Sequence, residues 1–338
     1  MIKAAPAKKI PPSNPLEDLA VRLAPDMKSV NALILERMVS EVPLIPQLAG
    51  YLIAAGGKRI RPLMTLASTR LFDEKTDRPF RLAAAVEFIH TATLLHDDVV
   101  DESDQRRGQA SANALFGNQS SVLVGDFLFS KSFELMVEDG SIDVLGILSK
   151  ASAIIAEGEV LQLSIQNALD TNINQYLQVI AAKTAALFAA ACEIGPVITG
   201  QSPEVRQSLR DYGHHVGMAF QIADDVLDYQ SSAAELGKSI GDDFKEGKMT
   251  APVIYAIEAA KTVDDKEFWV RTFEQKDVTQ DDLEHAQNLI RSSGADKKTF
   301  ELAQNHAQLA RNTLNFLPES DLKSTLMDLA LFALNRKS

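Results

Sequence analysis

From Leu16 onward apolar residues recur at intervals of three and four, and sustained alternation of apolar with polar positions is almost absent. Residues three and four apart share one face of an α-helix, whereas a strand repeats every second residue, so the pattern predicts a nearly all-helical chain. No Asn-Gly or Asp-Gly turn joins two alternating runs, which removes the usual hairpin signal. Glycine and proline divide the pattern into segments, among them at Pro43, Gly117, Gly140, Gly195-Pro196, Gly294 and Pro318. Asp77 as N-cap, with Pro79 in the first turn, opens a segment that meets no breaker before Asp101. Ser202-Pro203 opens another that runs to Asp228. The first is roughly 35 Å long at ~1.5 Å per residue, a length that crosses a domain. Neither a Ser/Gly-rich linker nor a solenoid repeat interrupts the middle. The expectation is one large helical domain over residues 16–338 behind a mobile arm, residues 1–15, rich in proline and lysine. Amphipathic segments near 283–290, 300–316 and 322–334 add a helical shell.

Two stretches of apolar helix carry the same acidic spacing: Asp97-Asp98-Val99-Val100-Asp101 and Asp224-Asp225-Val226-Leu227-Asp228. Positions i and i+4 lie one above the other on a helix, so Asp97 with Asp101, and Asp224 with Asp228, each put two carboxylates on one face. Like charges so placed repel, and the polar residues after Asp101 mark a helix C-terminus, where the macrodipole disfavours anions further. One acidic run alone reads as a solvated face. Two copies, each preceded by apolar helix, favour packed helices that face a common space and share a cation. Hard oxygen donors without a His or Cys set at zinc spacing point to Mg²⁺.

Composition narrows what such a site handles. The 338 residues are 46% hydrophobic with a net charge of −12, enough for a sizeable core and contrary to general nucleic-acid binding. An anionic ligand therefore needs local cations, and the chain supplies them in glycine-rich turns. Lys58, Arg59 and Arg61 fall between Gly57 and Pro62; Arg106-Arg107-Gly108 follows the first acidic segment; Lys238 and Lys248 follow the second, beside Gly237, Gly241 and Gly247. Acidic helix ends with adjacent basic loops are the charge pattern of a metal-bridged diphosphate. Cys192, the sole cysteine, reads as a small core residue, excludes an intrachain disulfide and suits a reducing cytosol. Apolar stretches such as residues 184–192 read as too short to span a bilayer, and the N-terminal arm lacks the apolar core of a signal peptide.

In order, the motifs Gly-Gly-Lys-x-x-Arg, Leu-x-His-Asp-Asp-x-x-Asp, Arg-Arg-Gly, Lys-Thr-Ala, Phe-Gln-Ile-x-Asp-Asp-x-x-Asp and Gly-Lys-x-x-Gly-Asp-Asp run from about Gly56 to Pro252. The chain thereby resembles the trans-isoprenyl diphosphate synthases. The resemblance implies an all-α fold of the class I terpenoid synthase type, a homodimer, and opposed motifs around a deep cavity. It implies that Asp97, Asp101 and Asp224 bind a cluster of three Mg²⁺ ions, with Asp98, Asp225 and Asp228 ligating or supporting it through water. It assigns Lys58, Arg61, His90 and Arg107 to the diphosphate of isopentenyl diphosphate. Arg106, Lys183, Lys238 and Lys248 fall to the allylic diphosphate, and Thr184 and Gln221 sit beside the forming cation. His96, His214 and His215 match no function.

The implied reaction is ionisation of the allylic diphosphate, condensation with isopentenyl diphosphate and loss of a proton. One turn before Asp97 stand the small residues Ala92 and Thr93, on a face continued by His90, Ile89 and Val86. A bulky side chain at Ala92 or Thr93 would stop a growing chain within about one ~5.4 Å turn. Its absence favours a long product, and the chain looks most like octaprenyl or decaprenyl synthases that make ubiquinone side chains. Phe133, Leu135 and Met136 are candidates for the cavity floor. A farnesyl or geranylgeranyl primer, a cytoplasmic location and peripheral membrane contact for product release complete the expectation. The rivals are a shorter-chain geranylgeranyl-type synthase, a class I terpene cyclase and a non-catalytic partner subunit. A cyclase has no need of Lys58, Arg61 and Arg107, and a non-catalytic subunit has no need of two intact acidic motifs.

Overall fold

The computed structural model describes residues 14–54, 57–72, 75–106, 108–230, 241–279, 281–332 and 334. Helices α1 (Pro15–Arg22), α2 (Ala24–Arg37), α3 (Leu44–Ala54) and α4 (Ile60–Arg70) lead into the first long helix, α5 (Arg78–Val100). Pro79 lies in its first turn as the sequence predicts, but the Asp77 side chain caps nothing. Thr76 takes the role instead, its Oγ1 accepting from the Arg78 N–H at 3.3 Å. Helix α5 is buried on all sides from Leu82 to Ile89, so it has no amphipathic stripe and forms the centre of the layer. Helices α6 (Ala112–Phe116), α7 (Asn118–Asp139), α8 (Ile142–Ile165), α9 (Ile173–Ile180) and α10 (Ala186–Ile198) follow, and then α11, Pro203–Gln230. Helix α7 packs along α5, and α10 lies between α4 and α11. The last third forms helices at Asp282–Ser293, Ala295–Thr313 and Asp321–Phe332, close to the predicted shell segments. Helix Ala295–Thr313 packs along α11.

Two points depart from the helical pattern. Gln105–Arg106 and Gln109–Ala110 pair as an antiparallel ribbon, with Arg106 opposite Gln109. Two residues per strand are too few to leave an alternation in the sequence. The second departure is Gly195-Pro196, read above as a stop, which lies inside α10. A β-carbon on Gly195 would fall 2.3 Å from the Ser68 carbonyl carbon, so the glycine serves a helix crossing with α4 and not a chain break. Helices α9 and α10 are also continuous through a π-helical turn, Ala181–Ala185. The resulting run, Ile173–Ile198, is long and apolar enough to cross a membrane, beyond what the shorter stretches suggested. Its apolar window is 67% buried, which marks a core helix.

Buried apolar side chains form one large cluster around α4, α5 and α10 and a second around Tyr176, Trp269 and Phe273. Helix α11 joins them, giving Tyr212 and Val216 to the first and Met218 and Ile222 to the second. It approaches the preceding helix closely because Gly213 and Gly217 face the Phe188 carbonyl and the Ala185 backbone. Added β-carbons there would lie 2.3 and 2.7 Å from those groups.

Two of the histidines without an assigned role, His214 and His215, meet His306 at the crossing of α11 with helix Ala295–Thr313. His215 Nδ1 and His306 Nδ1 are 3.1 Å apart, and the His214 ring stands edge-on to His215. Burial, then the neighbouring His215 and His214, pull His306 down to about 4; burial lowers His214 and His215 as well. Unfolded histidine titrates near 6.5, so as pH falls the unfolded chain takes up protons first. The stabilisation is complete above about pH 6.5 and is lost progressively toward pH 4. Urea midpoints of wild type and His306→Asn, measured from pH 7.5 to 5, should diverge, the variant losing about 1–2 kcal/mol less over that range. Parallel curves would remove the cluster as the source.

Candidate active site

The last turn of α5 carries the first acidic motif, and helical geometry sorts its three aspartates. Residues i and i+4 share a face while i+1 is turned by about 100°. Asp97 and Asp101 are accordingly half-buried, whereas Asp98 is 1% exposed. The Arg106 guanidinium, delivered by the two-stranded ribbon, grips Asp98 with Nε 2.7 and 2.9 Å from its two oxygens and Nη2 2.6 Å from Oδ1. No basic residue lies in the last turn of α5. Cations reach it from elsewhere: Lys183 Nζ is 3.8 Å from Asp97 Oδ2, and Lys248 Nζ is 3.0 Å from Asp101 Oδ2. Burial pushes the Asp97 carboxyl up to about 6; Lys183 opposes this, and Glu159 and Asp101 add to it.

The second motif, near the end of α11, repeats the arrangement. Asp224 and Asp228 are half-buried and Asp225 is 4% exposed. Tyr176 OH donates to Asp225 Oδ2 at 2.6 Å and Gln221 Nε2 donates to Oδ1 at 2.8 Å. Thr184 Oγ1 donates in turn to Gln221 Oε1 at 2.8 Å, which completes a polar chain from α9 to the π-turn. Burial, then Asp243, push the Asp225 carboxyl well above the usual carboxylate range, against the hydrogen bonds from Tyr176 and Gln221. Asp228 Oδ2 accepts from the Asp243 N–H at 3.2 Å.

The basic residues sit as follows. Lys58 is exposed. Arg59 adopts a left-handed backbone with φ 48° and pairs with the buried Glu87. Arg61 Nη1 lies 3.0 Å from His90 Nε2, and its guanidinium stands 4.4 Å from the Phe188 ring centroid. A guanidinium only donates, so His90 Nε2 accepts and the imidazole carries its proton on Nδ1. Arg107 and Lys238 lie outside the described residues. Lys183 and Thr184 belong to the π-turn; such turns occur mostly as single insertions in helices, frequently at functional sites. Desolvation lowers the Lys248 ammonium, but Asp243, Asp101 and Glu246 together hold it above its ordinary range. The loop before it is stapled to the end of α8. The Asn167 N–H donates to the Gly247 carbonyl at 3.0 Å, and a β-carbon on Gly247, at φ 69°, would lie 2.0 Å from Asn167 Oδ1.

A cavity of about 100 Å³ joins these parts: Lys183, Thr184, Gln221, Asp225, Asp243 and Lys248 all line it. Three residues that contact these side chains carry little or no signal of their own in the sequence. Glu159 Oε2 accepts from Lys183 at 2.7 Å, Glu246 pairs with Lys248, and Tyr176 holds Asp225. The only trace of Glu159 in the sequence is an acid beside a glycine within an apolar helix; Tyr176 and Glu246 leave none. The chain-length candidates differ in surroundings, Ala92 being fully buried while Thr93 is half-buried, with its Oγ1 donating to the His90 carbonyl at 2.9 Å. Among the described residues no three His, Cys, Asp or Glu side chains already converge as a metal cage. The accessible donors Asp97, Asp101, Asp224 and Asp228 are nevertheless all carboxylate oxygens, a set that fits a hard divalent cation sharing its shell with water and phosphate.

A family model described as polyprenyl synthetase matches residues 42–290. Octaprenyl diphosphate synthase of Escherichia coli (strain K12) is 43% identical over 95% of this chain and 99% of its own length. The fold is similar to a polyprenyl synthase from Caulobacter crescentus CB15 complexed with calcium and isoprenyl diphosphate: TM-score 0.93 and 50% identity, over 96% of this chain and 98% of that one. It is similar too to a decaprenyl diphosphate synthase from Rhodobacter capsulatus: TM-score 0.91 and 51% identity, over 96% of this chain and 99% of that one.

Proposed function

The chain belongs to the polyprenyl synthetase family and is a prenyltransferase that makes long-chain trans-polyprenyl diphosphates, and from that premise we propose how its residues divide the reaction. Isopentenyl diphosphate is added head to tail to an allylic primer, farnesyl or geranylgeranyl diphosphate, up to an octaprenyl or decaprenyl product for quinone side chains. The observation that carries the site assignment is that Lys183 and Lys248 touch the first motif and line the same cavity as Gln221 and Asp225 of the second. Both motifs thus serve one space. Asp97, Asp101 and Asp224 are the direct magnesium ligands in this reading, with Asp98, Asp225 and Asp228 supporting them. Magnesium, when bound there, supplies Lewis-acid stabilisation of the leaving oxygens.

Lys183, Lys248 and Arg106, with Lys238, hold the allylic diphosphate. Lys58, Arg61 and His90, with Arg107, hold isopentenyl diphosphate. As the allylic carbon–oxygen bond breaks, its electron pair leaves with the diphosphate, and the ammonium and guanidinium groups take up the growing charge. The π-pair of isopentenyl diphosphate then forms the carbon–carbon bond, and the departing proton passes to the released diphosphate. Thr184 and Gln221 turn oxygen dipoles toward the cation. Retention of three aspartates in the second motif, together with the Arg61–His90 pair, favours elongation over cyclisation. Mg²⁺-dependent incorporation of labelled isopentenyl diphosphate onto farnesyl diphosphate tests the reading. Asp97→Ala and Asp224→Ala should each lower turnover by about 10²-fold or more. Near-normal turnover in a folded variant would end the metal assignment.

Product length is proposed to depend on the space before Asp97. Thr93 is the better probe, because a Phe at the fully buried Ala92 would overpack the core, at about 1–3 kcal/mol. Mass spectrometry of the polyprenols should find shorter products from Thr93→Phe; unchanged length would remove this tunnel.

A homodimer is also proposed. Leu123 on α7 and Ile142 and Val160 on α8 are 67%, 80% and 68% exposed, apolar surface that a second copy of the chain would cover. Ile142, Gly146, Ala153 and Val160 fall on one face of α8, with open space at Gly146. Sedimentation equilibrium should give a dimer for the wild type and a monomer for Leu123→Glu/Val160→Glu; a monomeric wild type would refute it. We place the enzyme in the cytoplasm, handing its apolar product to a membrane surface.

A further inference from the structure

Lys183 and Lys248 come from different elements and end in the same arrangement. Each ammonium sits between an aspartate of the first motif and a glutamate that belongs to neither motif. Lys183 is 2.7 Å from Glu159 Oε2 and 3.8 Å from Asp97 Oδ2. Lys248 is 3.0 Å from Asp101 Oδ2 and closer still to Glu246. In both cases the glutamate has the tighter hold.

An ammonium resting on Asp97 or Asp101 competes with a divalent cation for the same lone pairs. Expelling it without another partner would leave a mostly buried, unpaired cation, since the lysine side chains are only 22% and 19% exposed. A buried charge without a partner is strongly disfavoured. A glutamate already in contact removes that penalty, because the lysine has only to tighten onto it. Glu159 retains capacity for this, as its Oε1 is buried and accepts no hydrogen bond among the described residues. The backbone fixes both pairs. Gly158 lets α8 press against the π-turn, where a β-carbon would lie 2.6 Å from Ala182 Cβ, and the staple at Gly247 fixes the segment between Glu246 and Lys248.

We propose that Glu159 and Glu246 are positioning residues that draw Lys183 and Lys248 off Asp97 and Asp101, opening the first motif to a divalent cation while keeping both ammonium groups beside the diphosphate. The inference rests on the metal–diphosphate reading above and deepens it. It separates two demands that conflict at one place, a free carboxylate for the cation and a nearby lysine for the anion.

The test uses the full chain with Mg²⁺ and inorganic pyrophosphate, read by thermal melting as Mg²⁺ is raised. Wild type should show a Mg²⁺-dependent rise in Tm. Glu159→Ala frees Lys183 to close on Asp97, and the Mg²⁺ concentration giving half the rise should increase about tenfold. In Glu159→Ala/Lys183→Ala it should return to within about twofold of Lys183→Ala alone, because the competitor is gone. Glu159→Gln, whose amide oxygen still accepts from the ammonium, should fall between and serves if the alanine variant does not fold. The same cycle applies to Glu246 and Lys248. The apparent Mg²⁺ requirement for turnover should shift in parallel, with KM for isopentenyl diphosphate unchanged. Equal Mg²⁺ dependence in wild type and Glu159→Ala, or a shift that persists in full without Lys183, would overturn the proposal. A wild type with no Mg²⁺-dependent rise would instead defeat the underlying metal reading.

Discussion

Two carboxylates at the C-terminal end of a buried helix occupy the least favourable place for negative charge, and the fold is organised around relieving it. The macrodipole disfavours anions at this helix end, desolvation and the neighbouring Asp101 raise the Asp97 carboxyl, and α5 offers no cation in its last turn. Relief arrives from three separate elements: Arg106 on the ribbon, Lys183 on the π-turn and Lys248 on the loop after Gly247. Each of these contacts is also a distance constraint between elements far apart in the chain. A charge distribution that α5 cannot stabilise alone thereby fixes where its neighbours must stand.

The Asp-Asp-x-x-Asp spacing does more than gather acids. Its first and third members stay half-buried while the second is almost fully buried, and both copies obey this, with Asp98 and Asp225 the buried ones. The inward aspartates find different partners, a guanidinium in one case and a tyrosine with a glutamine in the other. Through Gln221 the second joins Thr184, so the residues assigned to the cation share one hydrogen-bonded chain with the motif assigned to the metal.

Much of this was legible before any coordinates. The three- and four-residue period predicted the long helices now seen at Arg78–Val100 and Pro203–Gln230, and proline marked where each begins. The acidic motifs are legible in the residue order itself, whereas Lys183, Thr184, Arg61 and His90 stand out only through the family resemblance. What escaped depends on contacts distant in sequence. Glu159 matters only because Lys183, 24 residues on, lies against it, and Tyr176 only because Asp225, 49 residues on, does. Gly195 read as a break because local rules cannot distinguish a glycine that ends a helix from one that admits another helix beside it. The ribbon at Gln105–Arg106 was too short to leave a period.

That last ambiguity points to how the site is held. His96, which precedes Asp97, lies over Gly125 of α7, where a β-carbon would come within 2.3 Å of its ring. Gly158 meets the π-turn that carries Lys183, Gly217 meets Ala185 at the other end of that turn, and Gly247 meets Asn167 beside Lys248. At each of these crossings a β-carbon would enter space already filled, by backbone and β-carbon atoms at Gly158 and Gly217 and by the His96 ring and the Asn167 amide at Gly125 and Gly247, so the glycines hold these groups at close approach. A site that must place two ammonium groups within ångströms of two carboxylates without letting them collapse together needs that kind of fixity. Long, flexible lysines supply the charge; the glycine crossings decide how far each one can reach.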